Sequence, residues 1–142
     1  MSFRTYLLAW LLAFAVLEAT AALWHLLLFR GYYVQVLSVV DRPFAEYKVP
    51  YLMLTNALRA AAVVWFFTSW HRPHPAVTLT SGARFGTLLG AVCGLMVAEY
   101  YGIWRINSLS WAFIEGGWAV LQGLGVGLAL AGYYRPRWRR AV

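Results

Sequence analysis

Four apolar runs, each about 20 residues or longer, have the length that lets a helix cross ~30 Å of hydrocarbon. They cover about residues 6–28, 51–70, 85–104 and 109–133. At that depth no water is present to bond the backbone, so a chain this short must span as helices. The expected fold is all-α: a polytopic four-helix transmembrane bundle forming a single domain over residues 1–142.

Composition agrees. The chain is 62% hydrophobic and only 12% charged, whereas a soluble domain carries about 25% charged residues. One small core could not bury that much apolar surface. Aromatic residues make up 18% and include eight Trp and nine Tyr, rings that favour the membrane–water interface. The first run has a basic start at Arg4 and an Ala19-Thr20-Ala21 step that a signal peptidase could read. Its apolar character nevertheless continues to Leu28, and Glu18 would adjoin the cut, so it reads as a retained span. The lone Cys93 can form no internal disulfide.

A net charge of +7 would suggest a nucleic-acid partner in a soluble protein. Here the cations flank the apolar runs and crowd the C-terminus, so no nucleic-acid partner is expected. Arg4, Arg72, Arg84, Arg135, Arg137, Arg139 and Arg140 fall on one side, and Arg30, Arg42, Lys48 and Arg105 on the other. The richer side is expected to be cytoplasmic, with both termini inside. The tail from Arg135 to Arg140, with Trp138 among its cations, is suited to anionic headgroups. In the long outer loop, the stretch from Gly31 to Leu37 is amphipathic enough to lie in the interface.

Small residues recur every four positions in the third run (Gly86, Gly90, Gly94, Ala98, Gly102) and the fourth (Ala119, Gly123, Gly127, Ala131). Residues at i and i+4 share a face, and small ones let two helix backbones approach where lipid is as apolar as leucine. The short connection predicts an antiparallel hairpin packed along both ladders. A homodimer or a partner subunit is the other use for such a face.

No glycine-rich phosphate loop, zinc-ligand set or serine–histidine–acid order is present, and neither a metal nor a cofactor is expected. A di-metal carboxylate site would want Glu-x-x-His on a helix, which is missing. The chemistry-bearing groups are polar residues inside the spans: Glu18 and His25, Asn56 and Arg59, Glu99, and Glu115. They lie roughly 3–15 Å below the outer ends of their helices at 1.5 Å per residue. Glu18 and His25 share a face, as do Asn56 and Arg59. Glu115 is expected to point at the hairpin seam and Glu99 at its edge. Charges in hydrocarbon pair or line a wet cavity, and one arginine cannot neutralise three carboxylates, which leaves a protonated glutamate as a candidate acid. Three readings stand: a cluster that fixes helix register, a binding or reaction pocket, and an ion or proton path. His25 suits hydrogen bonding, with metal or haem ligation as the alternative. His71 and His74 are assigned to the turn on the opposite side.

Trp24, the Gly31-Tyr32-Tyr33 step, Leu37 and the Glu115-Gly116-Gly117-Trp118 run together resemble a family of small bacterial proteins with four predicted membrane helices. Glu115 and Trp118 match its acid-x-x-Trp element. Glu18 lies about one turn further from Trp24 than that pattern has it, and Tyr101-Gly102 stands where the family has Tyr-Asp. The resemblance implies a four-helix membrane fold and no particular activity.

The function these features suggest is binding of a hydrophobic or amphipathic ligand such as a lipid, quinone, isoprenoid or pigment in a polar pocket of the outer half, by the protein alone or as an accessory subunit of a membrane complex. The binding residues would be His25, Asn56, Arg59, Tyr101 and Trp118. A cofactor-independent enzyme using Glu18, Glu99 or Glu115 as acid or base is the second reading. A small proton-coupled transporter is the third.

Overall fold

The computed structural model describes residues 2–40, 49–71, 77–100 and 109–138. These form helices α1 (Phe3–Ala22, continued by a π-helical stretch Leu23–Leu28), α2 (Arg30–Val40), α3 (Val49–His71), α4 (Leu79–Val97) and α5 (Leu109–Trp138). Tyr101, Gly102, the loop cations Arg42, Lys48, Arg72 and Arg105, His74, and Arg139 and Arg140 lie outside the described residues.

Three helices are long and apolar enough to cross a membrane: Phe3–Leu28, Leu79–Tyr100 and Leu109–Arg135. At most 33% of the residues in their most apolar stretches are buried. Leu11, Leu27, Leu88, Leu95 and Phe113 all face outward. A soluble protein could not carry so continuous an apolar exterior. The remaining long helix, α3, has 23 residues and is not among these three.

Local signals set the helix starts. Ser2 caps α1 by accepting the amide of Thr5. Thr78 and Ser81 form a reciprocal capping box that starts α4 at Leu79. Helix α4 therefore begins before residue 85, where the third apolar run was taken to start, and Gly82 joins its ladder. His71, assigned to a turn by sequence, instead ends α3. It is 1% exposed, and its ring nitrogens bond the Phe67 carbonyl (2.9 Å) and Ser81 Oγ (3.1 Å).

The α4–α5 hairpin is confirmed as a backbone-to-backbone seam. A Cβ on Gly94 would sit 2.8 Å from the carbonyl oxygen of Gly116, and one on Gly90 would sit 2.5 Å from that of Ala119. Gly86 meets Gly123, and Gly82 meets Gly127 and Ala131. Each step of four along α4 is matched by about four back along α5, the register of antiparallel helices. Glycine hydrogens face those carbonyls, the geometry of weak Cα–H···O contacts.

Helix α1 packs on α3 and α5 through a core repeated every four residues: Ala9, Ala13 and Leu17 meet Ala60, Val64, Val126 and Leu130. Two polar straps align α1 with α3. Tyr6 Oη donates to the Ala61 carbonyl and Trp10 Nε1 to that of Ala57, each at 2.8 Å. One end of the bundle gathers Thr5, bonded by Tyr133 Oη (3.2 Å), and the stacked rings of Phe67 and Tyr134. The described N- and C-terminal portions thus lie at the same end.

Candidate functional site

The polar residues of α1, α3 and α5 converge near mid-helix. Arg59 is the hub. Its Nη1 donates to Asn56 Oδ1 (3.1 Å) and its Nη2 to Gln122 Oε1 (3.0 Å). Asn56 Nδ2 then donates to Glu18 Oε1 (3.1 Å). Gln122 Nε2 donates to the Leu17 carbonyl (3.1 Å) and to Thr20 Oγ1 (3.3 Å). Two amides therefore carry the arginine of α3 across to residues 17–20 of α1. Each amide's orientation is set by a cation at its oxygen and an acceptor at its nitrogen.

The expectation that charges inside the spans pair is not met directly at Arg59, which reaches Glu18 only through Asn56. Among the described residues Arg59 has only the two amide oxygens as hydrogen-bond acceptors and no carboxylate in ion-pair contact. A guanidinium has five N–H donors, so most of its donor capacity is unspent. Its carbon also lies 5.9 Å from the centre of the Trp118 ring, a cation–π contact.

Trp118 links the hub to a second group nearer the end of the bundle where α1 passes into α2. The His25 ring meets it edge-on (4.8 Å) and packs against Tyr33 on the other side (4.6 Å). His25 Nδ1 donates to the Ala21 carbonyl (2.9 Å), since a carbonyl can only accept. The ring sits in the π-helical stretch of α1, a distortion frequent at functional sites. Tyr33 Oη donates to Glu115 Oε1, and both residues are buried. Burial, and next the nearby Glu115, push the Tyr33 phenol well above its ordinary value of 10.0, so the hydroxyl stays a donor. Trp111, Tyr32, Trp24 and Phe29 wall this group.

Glu115 is thus buried as expected but does not point into the α4–α5 seam. Gly116 takes that place against Gly94. At 3.6 residues per turn, Glu115 lies about 80° around the helix from Gly123, which turns it toward α2. Glu99 is not brought to the site. It is exposed near the end of α4, about 100° around from Ala98, and no hydrogen bond ties it to the Arg59 hub among the described residues. Glu18, His25, Asn56, Arg59, Glu115 and Trp118 do come together, and Tyr101 lies outside the described residues.

Gln122 and Tyr33 were missed. Gln122 is seven residues from Glu115, hence on the same face, and that spacing could have flagged it. Tyr33 joins only because α2 folds back over the bundle.

Beside the hub lies a lateral groove of about 180 Å³ between α3 and α4, floored by α5. Arg59 and Gln122 are its polar lining, and Ala62, Phe66, Leu89 and Cys93 are among its walls. No family model, curated protein or solved structure matches this chain.

Proposed function

We propose that this is a four-span membrane protein, both termini cytoplasmic, that binds a hydrophobic or amphipathic ligand beside Arg59. The observation that carries this reading is an arginine with unspent donors opening on an apolar groove. A cation in hydrocarbon without a counter-charge is costly, and a ligand's polar group would complete it.

Counting α3 as the fourth span rests on its packing. It packs beside α1 from Asn56–Glu18 to Ala61–Tyr6, which supports a crossing alongside α1. The shared end of the termini together with the arginine-rich tail supports the cytoplasmic assignment, and the family resemblance supports a bacterial inner membrane. Catalysis and proton transport draw less support. Glu115 is engaged by Tyr33, and Glu99 stands apart.

Thermal unfolding of delipidated protein with lipid-extract fractions added back tests the reading. A ligand at 100 times its Kd stabilises by about 2.7 kcal/mol, so one fraction should raise the Tm of the wild type and not of Arg59→Gln. If no fraction shifts the wild type, the binding reading fails.

A further inference from the structure

The groove's shape and charge restrict its occupant further. Arg59 is ten residues below the start of α3, about 15 Å along the helix. A groove of about 180 Å³ has no room for the two chains of a phospholipid. Below Arg59 the walls are apolar as far as Phe66, about 10 Å. There the rings of Phe67 and Phe85 (5.2 Å apart), with His71 bonded to Ser81, join α3 to α4. The groove is therefore closed at the cytoplasmic end, carries its cation at the upper end, and has room for one narrow chain. A guanidinium presents paired N–H groups in a plane, which match a carboxylate with two parallel hydrogen bonds. Asn56 and Gln122 supply only neutral oxygens, so an anion would give the charge its first direct counter-ion.

From this we infer that the groove takes a single-chain amphiphile with a terminal carboxylate. The acid caps Arg59, the first part of the chain lies between α3 and α4 pointing toward the cytoplasmic end, and the remainder lies in the surrounding bilayer. The occupant enters sideways from the bilayer. This inference rests on the ligand-binding reading above and specifies the chemistry at the same site.

The test uses the full chain in phosphatidylcholine nanodiscs and a long-chain fatty acid bearing a mid-chain diazirine. After irradiation, labelled peptides are mapped by mass spectrometry. Crosslinks should fall on α3 and α4 around Ala62, Phe66, Leu89 and Cys93. Unlabelled acid should compete at least about tenfold better than its methyl ester, the ratio set by one charge-assisted hydrogen bond. Arg59→Gln should lose the preference for acid, and Arg59→Lys, which keeps charge but not the paired donors, should retain part of it. The acid–ester comparison on wild-type protein stands even if the variants misfold. Equal competition by the ester overturns the carboxylate assignment and leaves amphiphile binding intact. Groove labelling with undiminished acid preference in folded Arg59→Gln also overturns it. Absence of groove crosslinks from both the acid and a diazirine methyl ester overturns this inference and the ligand-binding reading together.

Discussion

Substituting Gly86 by alanine should loosen the bundle where the two longest small-residue ladders meet. The new Cβ would overlap the carbonyl oxygen of Gly123 and sit 2.8 Å from its carbon and 3.0 Å from the Cα of Gly127. Carbon atoms in contact are ordinarily 3.5–4.0 Å apart, so α5 would have to retreat by about 1 Å, a gap that forfeits a quarter to a half of the attraction between facing atoms. The obstacle is backbone and no side chain can rotate away. The cost belongs at the upper end of the ~1–3 kcal/mol range for overpacking, against about 1 kcal/mol gained by removing a helix-interior glycine. The net expectation is a loss of about 2 kcal/mol. Gly117 and Gly132 provide the control, because a Cβ there meets nothing within 4 Å. Gly117→Ala and Gly132→Ala should be neutral or stabilising by about 0.5–1 kcal/mol. Heat unfolding in mild detergent, followed by near-ultraviolet ellipticity of the tryptophans, ranks the three. If Gly86→Ala unfolds no earlier than Gly117→Ala, the close seam is wrong.

Other expectations follow from the site. Tyr33→Phe leaves the Glu115 carboxyl buried without its donor and should cost about 1–3 kcal/mol in the same assay, while adding Glu115→Leu should recover most of it because both partners are then apolar. The raised Tyr33 phenol also has a pH consequence: below pH 10.0 both states hold the proton, and above it the unfolded chain releases it first. Stability should therefore fall as pH rises past about 10, and Tyr33→Phe should flatten that alkaline loss in a pH series of melts. Gln122→Leu removes one acceptor from Arg59 and the link to Leu17 and Thr20; it should lower Tm relative to the wild type in the same melts. A reporter that fluoresces only in the cytoplasm should be active when fused to either terminus, and activity at one terminus alone would break the four-span assignment.

Much of the architecture was legible because it is written in short periods. Four-residue spacing of glycines fixed the α4–α5 face, and the three-residue step from Asn56 to Arg59 put both on one hub. What escaped depends on partners distant in the chain. Tyr33 reaches Glu115 from 82 residues away, and no local pattern announces that α2 folds back. Glu99 was grouped by depth and set at the edge of the seam, yet one residue past the ladder turns a side chain about 100° away. Counting charges also suggested that Arg59 would find a glutamate. The amides of Asn56 and Gln122 intervene, and that interposition leaves the arginine free to face the groove.

The most direct test of the account is native mass spectrometry of the full chain released from nanodiscs made with its own host membrane lipids. The account predicts a satellite peak displaced by the mass of one single-chain acid in the wild type, and its loss in Arg59→Gln. Bare protein alone, or an adduct equally retained in folded Arg59→Gln, would contradict it.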